Sequence, residues 1–177
     1  MSQMHQMQLT YVAAEDRMLF RVNTKARQEF RFWMTRRYIA ILWHTLMQIL
    51  AKTQAEPQET TGTPVSDPLV EAAKKEMKHQ EVVSQADFKT QYQESTYLPL
   101  GEQPILLFGI GVKPAPDGQP LLCMHPQNGQ GIEMVMGEHI LHSFCKLIQD
   151  TTAKAEWGLN LTFNEDGRTP EGPRGLN

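Results

Sequence analysis

Apolar and polar positions alternate with a period of two over two neighbouring stretches near the start of the chain, and then the period changes. From Met18 to Asn23, Met18, Phe20 and Val22 share one face, with Leu19, Arg21 and Asn23 on the other. From Glu29 to Met34, Phe30, Phe32 and Met34 share a face and Arg31 and Trp33 oppose them. The five residues Thr24 to Gln28 separate the two runs, so the pattern predicts an antiparallel hairpin. Leu9 to Ala13 reads as a short strand before it. Thr35 can cap a helix with its hydroxyl, and a helical period runs from Arg36 to about Ala51. Tyr38, Ile39, Leu42, Trp43, Leu46, Met47, Ile49 and Leu50 cover more than half of that helix, with Ile41 inside the polar wedge. One sheet face needs a narrower apolar stripe, so the helix is expected to be covered on two sides, by a second layer or by another subunit.

Lys52 to Ser66 carries almost no apolar residue and predicts a polar linker. Asp67-Pro68 starts a helix to about Val83. Ser84-Gln85-Ala86-Asp87 resembles a capping box for a further short helix through Tyr92. Ile105 to Val112 is apolar throughout and predicts a strand buried on both faces. Leu121–His125 and Ile132–Met136 predict a second hairpin, and Glu138 to about Lys154 a helix with Ile140, Leu141, Phe144, Leu147 and Ile148 on its apolar arc. Its polar arc holds Glu138, His139, His142, Lys146, Gln149 and Asp150. A short strand is expected at Leu159 to Phe163, and residues 164–177, rich in Gly, Pro and charge, read as a disordered tail.

A shift of 102 residues lays the first hairpin and helix on the second without a gap. Phe20 meets Leu122, Val22 meets Met124, Phe30 meets Ile132, Phe32 meets Met134 and Met34 meets Met136; in the helices Ile39 meets Leu141, Leu42 meets Phe144 and Leu46 meets Ile148. The expected fold is α+β: two similar antiparallel ββ(β)α units packed together, joined by a polar linker and one or two helices. The units are residues 1–51 and 101–163, with the linker at 52–66, the helical connection at 67–100 and the tail at 164–177.

Composition refines this picture. With 40% hydrophobic residues, the 177-residue chain can bury a real core. The most apolar run, Tyr38 to Leu50, is broken by His44, Thr45 and Gln48 and falls short of the about 20 residues of a membrane span. No basic and apolar leader opens the sequence, and the two cysteines make no disulfide framework, which points to the cytoplasm. The net charge of −3 divides unevenly: residues 1–52 carry eight Lys/Arg against three Asp/Glu, whereas residues 53–110 carry four against nine. The basic first third can therefore meet an external anion or the chain's own acidic middle.

The residues that could bind an anion are Arg21, Arg31, Trp33, Arg36 and Arg37: guanidinium groups with an aromatic on one sheet face, and two more at a helix start. The plain alternative is a solvated strand face. Ile41, Trp43 and Met47 mark the surplus apolar arc of the first helix and are the candidate oligomer interface. His139, His142 and Cys145 recur every third residue, but their helical angles diverge, and neither a CxxC nor an HExxH spacing occurs. They read as surface histidines and a packed cysteine, with Glu138 pairing His142 on the helix surface. Gly109-Ile110-Gly111 is not followed by a helix, and no GxSxG context or acid–base set can be assembled. The sequence thus implies no metal and no cofactor and leans away from an enzyme. It is best read as a non-catalytic interaction protein that binds itself or another protein. The alternative is a single-stranded nucleic-acid binder working through the Arg/Trp face.

Overall fold

The computed structural model describes residues 3–54 and 67–163. Among these are three helices, seven strands and two sheets, an α+β arrangement. The predicted linker lies largely, and the tail wholly, outside the described residues.

Strands β1 (Met4–Val12), β2 (Arg17–Thr24) and β3 (Glu29–Met34) form an antiparallel meander, and helix α1 (Arg36–Gln54) follows. The alternation read from the sequence is the alternation of burial: Met18, Phe20, Val22, Phe30, Phe32 and Met34 are all buried. Thr35 caps α1, its hydroxyl accepting from the Tyr38 amide at 3.2 Å. Helix α2 (Pro68–Ser84) is capped by Asp67, which accepts from Leu69 N at 3.0 Å. Strands β5 (Gly109–Pro114), β6 (Pro120–His125) and β7 (Ile132–Val135) form the second antiparallel sheet and lead into α3 (Glu138–Ala155).

The order of elements, three strands and a helix, therefore recurs. The second hairpin repeats the first in register, since Phe20 faces Phe32 as Leu122 faces Met134. The first strand does not follow suit. Leu9 pairs with Phe20, whereas Val112 pairs with Leu122, which needs a shift of one more residue than the 102 that aligns the rest. This is a recurrence of order and register and does not by itself establish a duplication.

The stretch Ile105 to Val112 departs from its expected form. It is not one strand buried on both faces. Its first part is β4 (Ile105–Leu106), which pairs in parallel with β3, Phe32 against Ile105 and Trp33 against Leu106. Leu107 then donates its amide to Trp33 O at 3.0 Å and buries its side chain, and Phe108 donates to His125 O at 2.9 Å. The chain thus passes from one sheet directly into the other. Having one partner sheet on either side of the crossing leaves Phe108 67% and Leu106 46% exposed.

The inner faces of both sheets and the apolar sides of α1 and α3 form one core. Each helix meets strands of the other unit. Helix α3 packs on β1, Phe144 stacks against Phe20 of β2 with centroids 5.1 Å apart, and α1 runs beside β5, where the Tyr38 hydroxyl donates to Gly109 O at 3.2 Å. Burial holds the Tyr38 hydroxyl above its ordinary range. After α3, residues 157–163 form no strand. They cross the molecule in irregular conformation, Trp157 Nε1 donating to Asp16 at 2.8 Å and Trp43 Nε1 donating to Thr162 O at 3.2 Å.

Phe144→Ala should remove the ring that fills the space between α3 and β2. A loss of about 3–5 kcal/mol in urea unfolding is expected, and a loss within error would show that the two units do not depend on this contact.

Candidate functional site

The face of the first sheet turned away from the core carries Arg21, Arg31 and Trp33, as the alternation requires. It is covered, but not by a helix. The expected short helix from Ser84 to Tyr92 does not form. Asp87 instead closes a turn by accepting from the amides of Lys89 and Thr90 at 2.9 and 3.0 Å, and the chain continues without helix to Leu98, bending at Thr96. This strap lies across β1, β2 and β3. Gln28 bridges Tyr97 in parallel, and the Glu29 amide donates to Tyr97 O at 2.9 Å.

The strap supplies the acidic partner that the charge distribution allowed. Glu94 pairs with Arg21, which also donates to Gln8 and sits over the Tyr92 ring at 4.9 Å. The Arg21 guanidinium holds the Glu94 carboxyl below its usual range. Arg31 pairs with Glu29 of its own strand at 2.7 Å, and the other carboxylate oxygen of Glu29 accepts from Ser95 N at 2.8 Å. Tyr92 is half-buried; its hydroxyl lies near Glu29 but makes no hydrogen bond of good geometry, and burial raises its ionisation above the ordinary range. Trp33 is half-exposed, with the Arg17 guanidinium 5.8 Å above its ring. Arg36 and Arg37 are exposed at the start of α1, outside this network. Of the five candidate anion-binding residues, the structure therefore brings three onto one face, and the two arginines among them are neutralised by the chain itself.

The three residues considered for an oligomer interface separate. Trp43 is buried within the chain, its ring 5.6 Å from that of Phe163; Met47 is half-buried, and Ile41 is 47% exposed. The wide apolar arc of α1 is covered by the chain's own second layer and by residues 157–163.

The histidines differ from their expected setting. His139 is exposed, but His142 is buried, at 1% exposure, because α2 lies across what looked like the polar arc of α3. Its partner is not Glu138, which pairs with Lys78 of α2 at 2.7 Å. It is His79 of α2, itself buried, with the two Nδ1 atoms 3.0 Å apart and the His79 ring 4.4 Å from Phe163. One Nδ1 must carry a proton and the other a lone pair, so the neutral rings hold opposite tautomers. Each ring lines one cavity, His79 the first and His142 the second. The first, of about 360 Å³, is also lined by Glu76, Gln80, Ser84, Lys146 and Gln149; the second, of about 220 Å³, is also lined by Leu50, Thr53, Lys78, Met136 and Glu138. Among the described residues no group of three His, Cys, Asp or Glu could hold a metal ion. Cys145 is buried, which pushes its thiol up; Cys123 is half-buried beside Glu133 on the second sheet and is likewise raised.

Sequence reasoning missed His79, Glu94, Tyr92, Gln6 and Asn23. Helix α2 turns Leu69 and Met77 to solvent and buries His79 beside Val82, so apolarity alone does not mark its inner face. The one available signal was the charge imbalance, which left open whether the basic first third meets an external anion or the chain's own acidic middle.

The histidine pair predicts a pH dependence. Burial, then the neighbouring His79, pushes His142 down from 6.5 to about 4, and burial also lowers His79. The unfolded chain thus binds more protons than the folded one between these values, so stability is full above about 6.5 and falls as the pH drops toward about 4. Urea midpoints measured across that window should decline in the wild type and decline less in a His79→Leu/His142→Leu variant; equal slopes would exclude the pair as the source. Compared with family models, curated proteins and solved structures, the chain matches none.

Proposed function

We propose that this is a non-catalytic interaction protein of the cytoplasm that associates with a second copy of itself. The observation that carries the reading is the strand crossing at residues 105–112. Beyond Gly109, β5 is the edge of its sheet, and a side chain at Gly111 would meet open space. An edge strand presents unpaired backbone groups that another strand can match. Leu106, Phe108 and Val112 expose apolar surface along the same crossing, and Ile41 stands one turn from Tyr38, which bonds to Gly109 O. Antiparallel pairing of two copies is self-complementary, because each residue meets on the partner what the partner meets on it. Burying a side chain such as Phe108 would contribute about 1.5–3 kcal/mol. No described helix is long and apolar enough to cross a membrane, and the two cysteines are free thiols, as suits a reducing compartment. The Arg/Trp face gives less support to single-stranded nucleic-acid binding, because Arg21 and Arg31 are already paired.

Light scattering over a concentration series should give a dimer mass for the wild type and a monomer mass for Phe108→Glu and Ile41→Glu. Wild type that stays monomeric at the highest concentration would overturn self-association. A charge at Trp43 would not test it, since that ring is needed inside the monomer.

A further inference from the structure

The strap over the first sheet is held in an unusual way. Side chains of the sheet read its backbone. Gln6 donates Nε2 to Gln91 O at 3.2 Å and accepts from Gln93 N at 3.0 Å; Asn23 donates Nδ2 to Gln93 O at 2.8 Å; Glu29 accepts from Ser95 N and donates its own amide to Tyr97 O. These bonds would accept any extended segment, because a peptide backbone offers the same groups whatever its sequence. The sheet residues are set for the task. Asn23 and Glu29 are buried, and Asn23 Oδ1 also accepts from Gln6 N at 2.7 Å, which fixes its orientation.

Two strap side chains add selectivity: the Tyr92 ring under Arg21, and the Glu94 carboxylate paired with the same guanidinium. The rest of the strap is exposed or touches the surface lightly. Between it, β1 and α3 lies a cavity of about 280 Å³ lined by Gln6, Gln8, Phe88, Tyr92, Ser143 and Leu147. A segment fastened by polar bonds at an exposed surface, over unfilled space and with one half-buried ring, has little apolar burial to resist local opening.

We infer that the outer face of the first sheet is a binding groove for an extended peptide bearing an aromatic residue and, two positions later, a carboxylate, and that residues 91–97 occupy it as an internal competitor. The partner peptide replaces the strap with the same backbone bonds. Its aromatic ring lies under Arg21 and its carboxylate takes the place of Glu94. The groove is separate from the β4–β5 edge, so it stands whether or not the chain associates with itself.

A labelled peptide with the sequence of residues 88–98, titrated by fluorescence anisotropy against the full chain, tests this. Tyr92→Ala/Glu94→Ala weakens the internal competitor while leaving every groove residue in place. The variant should bind the peptide about tenfold or more tighter than the wild type does. A peptide with alanine at the tyrosine and glutamate positions corresponding to 92 and 94 should lose that gain. A variant with native circular dichroism that binds neither peptide, or both equally, overturns the proposal. If the variant does not fold, hydrogen exchange of the wild type decides. Amides of Gln93 and Ser95 exchanging roughly a hundredfold faster than those of β2 report a strap that lifts by itself, and exchange in step with β2 overturns it.

Discussion

The shared core is the constraint on which everything else rests. Each sheet has one apolar face, and the helix that follows it in sequence also meets strands of the other unit: α3 against β1 and β2, α1 against β5. Neither half can bury its sheet alone with the arrangement observed. The crossing at residues 105–109 fixes the two sheets relative to each other, because one short run of backbone is hydrogen-bonded to Trp33 on one side and to His125 on the other. Leu107 enters the core at this point and Phe108 cannot, since the chain there has only one buried side to offer.

What the sequence made legible follows from the same physics. Where burial is set by a single flat face, period two and burial coincide, and the inward positions of Met18 to Met34 and of Leu121 to Met136 could be assigned; the outward Asn23 and Glu29 are buried as well, because the strap covers them. The helices α1 and α3 were legible for the corresponding reason, a stripe of apolar residues at helical spacing. Four features were not. The break in Ile105–Val112 depends on which strand each part meets, and an apolar run carries no mark of that. The segment Ser84–Tyr92 has good helix-start chemistry, but Asp87 spends its oxygens on a turn and the sheet offers the extended chain more bonds. The burial of His142 depends on α2, whose inner face carries the polar His79 beside Val82 while Leu69 and Met77 face solvent. The covering of Trp43 comes from residues 157–163, more than a hundred positions away.

The candidate surfaces divide along this line. The face that looked basic from its residue types is electrically settled within the chain, and its interest lies in the polar side chains that grip a neighbouring backbone. The apolar surface on α1 that looked as though it needed a partner is largely satisfied internally, with Trp43 buried and Ile41 left exposed. Apolar side chains are left without cover at the crossing, at Leu106 and Phe108, in a run whose unbroken apolarity would have placed it in the interior.

The parallel pairing of β4 with β3 has a consequence for the order of assembly. All of α1, α2 and the strap lie between the two strands, so the loop they close is long and its closure comes late. A chain emerging from the ribosome presents β3 as an open edge until the second half, which supplies β4 and α3, has been made. Apolar strands in that state are prone to pair with the wrong chain. The polar strap, made before β4, is the first segment able to shield the meander's outer face, and its bonds to Asn23 and Glu29 need nothing from the second sheet.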